Sequence, residues 1–160
     1  MKDEGPFILE WIAHHRAIGF DQIIVYTNNC TDGTVRLLKG LEASGWCTHR
    51  GNRVREGENA QPRAYTRLSN TDLLDDSDWV MVLDADEFLN IHLGSGMLAD
   101  LINEMDPDAN ILALNWRVFG DSNHDAYKQD LTTRRFNLAS NPASSTVSYT
   151  HLTLPTIYSV

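Results

Sequence analysis

The stretch whose reading decides the fold is Trp79-Val80-Met81-Val82-Leu83-Asp84-Ala85-Asp86-Glu87-Phe88. Its five apolar residues predict a buried strand, and the three acids that follow need compensation in such a place. In an open parallel sheet, ligands bind beyond the carboxyl ends of the strands. Two carboxylates one residue apart in that position, Asp84 and Asp86, can share a hard divalent cation, Mn²⁺ or Mg²⁺, and the phosphate oxygens it bridges. The same residues also suit a solvated strand end with acidic capping groups. At this point both readings stand.

Working outward, strands alternate with helices. Glu4 to Gly19 reads as a helix, with Pro6 in its first turn, an apolar stripe through Phe7, Trp11 and Ile18, and Gly19 as its stop. The run from Gln22 to Tyr26 predicts a second strand, which enters the loop Thr27-Asn28-Asn29-Cys30-Thr31-Asp32-Gly33-Thr34. Helices are expected from Val35 to Ala43, Gln61 to Leu74 and Met97 to Glu104, and strands from Trp46 to His49 and Ile111 to Trp116. That alternation predicts an α/β fold on a mostly parallel sheet. The loop at Asn28 would lie on the same rim as Asp84, where free N–H groups at a helix start can hold a nucleoside or a diphosphate. Taken alone, the loop is better explained as a plain strand-to-helix turn with Asp32 as N-cap.

Charge narrows the partners. With 22 acidic against 13 basic residues, the formal net charge is −9, which argues against general nucleic-acid binding. A nucleotide is still admissible, because a metal can neutralise its diphosphate locally. No apolar run reaches the length of a membrane span, so this stretch supplies no membrane segment of its own. The two cysteines, Cys30 and Cys47, form no CxxC pattern and are expected to be reduced thiols, which points to a cytoplasmic setting, with membrane association of a longer protein left open. His14 and His15 are expected to be a helical pair with one ring packed and one exposed.

Three motifs together carry a resemblance. Lys2 to His15, with its Glu10-Trp11 and following histidines, the loop from Tyr26 to Thr34, and Leu83-Asp84-Ala85-Asp86-Glu87-Phe88-Leu89 resemble the family 2-like glycosyltransferases, and more narrowly the branch close to family 92. The resemblance implies a GT-A, Rossmann-like fold and metal-dependent, inverting transfer of a sugar from a nucleotide diphosphate donor, such as a UDP-sugar, to an acceptor hydroxyl. It implies Asp86 as cation ligand, and Asp84 as ligand of the cation or of the donor ribose. Glu4 and the Asn28 to Asp32 loop would meet the nucleoside, and Gln61 and Arg63, with Tyr65, would face the donor. Asn28 departs from the Asp that many relatives carry there. Glu87 is expected to brace the loop.

Residues 1–145 are expected to be the N-terminal, nucleotide-sugar-binding part of such a domain, incomplete at both ends. Met1-Lys2 reads as the stub of a first strand. The general base is expected beyond Ser145, so the fragment itself is not expected to catalyse. Residues 146–160 resemble the translation of a transposon adapter and are set aside. Three rivals are a nucleotidyltransferase, whose glycine-rich basic phosphate loop Lys2 to Pro6 lacks, a haloacid-dehalogenase phosphatase, whose pattern after the DxD is broken by Glu87-Phe88, and a non-catalytic acidic binding module.

Overall fold

The computed structural model describes residues 1–75 and 79–139, together with the backbone of 149–153. Five helices and five strands alternate along these residues: α1 (Ile8–Ala17), β1 (Ile24–Thr27), α2 (Thr34–Ala43), β2 (Thr48–Gly51), α3 (Ala60–Ser69), β3 (Val80–Met81), α4 (Leu98–Asn103), β4 (Ile111–Asn115), α5 (Thr132–Arg135) and β5 (Tyr149–Thr153). The α/β class is as expected.

β1 and β2 run parallel, in register from Ile24 opposite Thr48 to Thr27 opposite Gly51, with α2 as the crossover between them. On the other side of β1, the Met1 amine donates to Tyr26 O at 2.8 Å and Asn28 N donates to Met1 O at 3.0 Å. That alternation is the hydrogen-bond pattern of a parallel ladder. Met1 therefore lies beside β1, where the strand stub was expected.

The core forms where α1, α2 and the parallel pair meet. Ile8, Trp11 and Ile12 of α1 bury against Ile23, Val25, Leu38 and Cys47, with Leu83 and Phe88 packed at its edge. Val25 and Thr27 are buried while Ile24 and Tyr26 are half-buried, the two-residue alternation of a strand. Burying one such aliphatic side chain contributes about 1.5–3 kcal/mol, so these few residues hold the unit together.

Two expectations need correction. The run from Trp79 to Leu83 does not continue the parallel sheet. Only Val80–Met81 pairs, antiparallel to β5, in a separate sheet of order β3-β5-β4. Val82 is 44 % exposed, so the apolar run is not buried throughout. Backbone N–H and C=O groups must find partners, and those of Val80 and Met81 find Thr153 and Leu152. The backbone of Tyr149–Thr153, which falls within the segment set aside in the sequence, is the central strand of that sheet.

Helix ends also moved. α1 begins at Ile8, because Glu4 to Phe7 form a turn in which Glu4 O accepts both Phe7 N and Ile8 N at 3.0 Å. α3 stops at Ser69, before its expected end at Leu74. The single-turn α5 was not foreseen. It is tied down by Arg135, only 8 % exposed, whose guanidinium lies 4.8 Å from the Phe136 ring centre, 5.0 Å from Tyr127 and 5.9 Å from Phe7. Such cation–π contacts strengthen where water is excluded.

Candidate functional site

The turn after β1 is built by two aspartates that bind backbone. Asp3 Oδ1 accepts Thr31 N at 2.6 Å and Asp32 N at 3.3 Å. Asp32 returns the favour, accepting Thr34 N at 2.9 Å and Gly5 N at 3.1 Å. The Thr34 hydroxyl and N–H hold the Asp32 carboxyl below its usual range, with Gly5 N–H contributing. Asp32 thus does what an N-terminal capping residue does, one position ahead of Gly33, the formal N-cap of α2. Gly5 is needed there: a Cβ at that position would meet Asp32 Oδ2 at 2.9 Å.

Asp3, Cys30 and Asp32 bring one ligand atom each within 4.8 Å of one another. Both carboxylates are already committed to backbone N–H groups, which explains the cluster as a loop brace. Cys30 and Cys47 are free thiols, as expected.

The acidic pair sits in a different electrostatic situation. Asp84 and Asp86 are exposed on either side of buried Ala85. Among the described residues, neither carboxylate has a hydrogen-bond or ion-pair partner, in contrast to Asp3, Asp32, Asp100, Glu10 and Glu42. Glu87 braces the turn: its Oε2 accepts the Asp84 N–H at 3.1 Å. Hard, unengaged carboxylate oxygens in this number suit Mg²⁺ or Mn²⁺, which take one or two protein carboxylates and complete their shell with water and phosphate.

Glu4 links the two turns. Partial burial pushes its carboxyl up, and the charges of Asp86, Asp32 and Asp3 push it further, against a lowering pull from the Met1 amine. Asp86, from the acidic turn, and Asp32, from the loop after β1, both act on Glu4, which therefore lies within reach of each. Asn28 is half-buried at the end of β1, its N–H held by Met1 O.

On α3 the expected trio divides. Burial raises the Tyr65 phenol, a hydrogen bond from Gln61 opposes that, and the charges of Asp84 and Glu87 add to the rise. Gln61 and Tyr65, four residues apart, share one helix face, and Tyr65 on it feels the charges of Asp84 and Glu87. Arg63 lies two residues from each, on another face, and binds Glu58 Oε2 at 3.0 Å. Charge interactions thus link Glu4 to Asp86 and Asp32, and Tyr65, beside Gln61, to Asp84, while the Arg63 guanidinium is engaged by Glu58.

Some residues at this rim were not singled out in the sequence. Asn52, 1 % exposed just past β2, donates its N–H to Thr27 O at 2.6 Å and its Nδ2 to Ala60 O at 2.8 Å, while its Oδ1 has no partner among the described residues. An asparagine just past a short strand is a weak signal, and only the long-range pairing gives it meaning. The histidine pair is packed more fully than expected: His15 is 1 % exposed and His14 is half-buried.

The family model of glycosyltransferase family 92 matches residues 4–149, nearly the whole chain. The chain belongs to glycosyltransferase family 92. No curated protein and no solved structure gave a match. Membership makes this family 92 chain a transferase by family, with glycosyl transfer from a nucleotide-sugar donor to an acceptor as its chemistry. None of its described helices is long and apolar enough to cross a membrane.

Proposed function

We propose that this family 92 chain carries the donor-binding part of a metal-dependent, inverting glycosyltransferase of GT-A type. The observation that carries the reading is that Asp84 and Asp86 stand exposed and unpartnered among the described residues, with Asp86 near enough to Glu4 to help raise its carboxyl. Acidic groups from three segments, Glu4, Asp32 and Asp86, acting on one another are a candidate ligand site on electrostatic grounds.

In this reading Asp86 holds Mn²⁺ or Mg²⁺, and Asp84 holds the cation or the donor ribose. The cation, when bound, neutralises the charge on the departing nucleoside diphosphate. Glu4 and the Asn28 to Asp32 turn meet the nucleoside. The turn is suited to this because Asp3 and Asp32 have already fixed its backbone, so little order is left to be lost on binding. Gln61 and Tyr65 close the donor side, and Arg63 reaches the donor only by leaving Glu58.

Calorimetric titration of UDP with and without Mn²⁺ tests this. Binding should require the metal, and Asp86→Ala should weaken it by at least about tenfold, or about 1.4 kcal/mol. UDP binding that ignores both Mn²⁺ and the substitution would instead favour a metal-independent nucleotide-binding module.

A further inference from the structure

Helix α1 grips the backbone that follows the acidic pair at three points. Trp11 Nε1 donates to Glu87 O at 2.8 Å, and His14 Nε2 lies 2.8 Å from Leu89 O. The Leu89 N–H, in turn, points to His15 Nε2 at 3.4 Å, and His15 Nδ1 lies 2.8 Å from Trp11 O. A carbonyl only accepts, so His15 carries its proton on Nδ1 and offers a lone pair at Nε2, while His14 carries its proton on Nε2. Adjacent histidines thus satisfy both the N–H and the C=O of Leu89. With the Asp84 N–H held by Glu87 Oε2, the chain from 84 to 89 is tied at both ends.

We propose that His15, assisted by Trp11 and His14, is a positioning residue that sets the Asp84–Asp86 pair for its cation without touching cation or nucleotide. This rests on the metal reading above and adds what holds the ligands in place. Groups behind a metal's direct ligands fix their geometry, and their loss typically weakens binding about 10–100-fold. A histidine that only filled space between Trp11, Phe20 and Phe88 would need no acceptor at Nε2. The two roles therefore differ in what a substitution must preserve.

The test compares His15→Phe, His15→Gln and Trp11→Phe with the unaltered chain. Hydrogen exchange is followed at the Asp84 and Leu89 amides, and affinity for Mn²⁺ alone by electron paramagnetic resonance. His15→Phe should speed exchange at both amides and weaken Mn²⁺ binding by about tenfold or more. His15→Gln, whose Oε1 can accept the Leu89 N–H, should restore both. A cooperatively melting His15→Phe with unchanged Asp84 exchange and Mn²⁺ affinity overturns the proposal, as does a glutamine variant no better than phenylalanine. Should His15→Phe fail to fold, Trp11→Phe decides: faster Asp84 exchange supports positioning and unchanged exchange refutes it. If the unaltered chain binds no Mn²⁺, the metal reading fails, and the exchange data still decide whether His15 positions the turn.

Discussion

The Glu10 carboxylate accepts the Thr132 N–H at 2.6 Å, joining residues 122 positions apart. Its other oxygen accepts the Thr133 N–H at 3.0 Å and the Thr133 hydroxyl at 2.8 Å. Burial acts to raise this carboxyl, but the hydrogen bonds from Thr133 and Thr132 together outweigh it and hold the group below its usual value. The contact therefore stabilises fully above the unfolded carboxylate range and is lost as pH falls through the depressed folded value. Glu10→Ala should cost about 1–3 kcal/mol near neutral pH. Urea unfolding should show this cost, and the difference from the unaltered chain should vanish in acid.

His15 makes stability depend on pH over a higher window. Burial holds its imidazole down to about 4 from the ordinary 6.5, the Trp11 carbonyl opposes this, and His14 adds to the lowering. As pH falls below about 6.5 the unfolded chain takes up a proton that the folded chain refuses. Stability should be complete above that point, fall toward pH 4, and level off below it. The loss from this residue is about 3 kcal/mol at most. Unfolding curves across the window should show the slope, and His15→Phe should remove it.

Leu38 is fully buried at the meeting of α2 with β1 and β2. Leu38→Ala should cost about 2–5 kcal/mol, measured by thermal or urea unfolding. A smaller loss would mean that the α2 contact closes up around the gap.

Gly5 and Gly33 offer a matched pair. A Cβ on Gly5 meets the Asp32 carboxylate at 2.9 Å, whereas one on Gly33 meets nothing within 4 Å. Gly5→Ala should therefore displace Asp32, lose the Gly5 N–H bond and cost about 1 kcal/mol. Gly33→Ala should leave the melting temperature close to that of the unaltered chain. Equal effects at the two sites would show that the Asp32 contact does not matter.

Much of this was legible locally. The helix at α1, the β1 run and the acidic turn after Leu83 follow from short-range spacing, although α1 buries Ile8, Trp11 and Ile12 while Phe7 and Ile18 are half-buried. The early end of β3 was not legible, because pairing is decided by whichever distant backbone comes alongside. α5 was missed because Thr132-Thr133-Arg134-Arg135 has no apolar period; a carboxylate on α1 holds it. The candidate site shows the same division. Asp84 and Asp86 announce themselves by chemistry and position, but nothing local links Trp11, His14 and His15 to a turn some 75 residues away. Arg135 went unnoticed because charged side chains are seldom interior.

That arginine has a consequence for the order in which the molecule comes apart. A guanidinium keeps its charge across the whole working range of acidity, so its nest of rings is indifferent to acid. The tether at Glu10, by contrast, lets go once its carboxylate takes up a proton. On acidification the chain near α5 should first slacken at the threonines and swing about Arg135, still moored to Phe7, before the layers beneath it open.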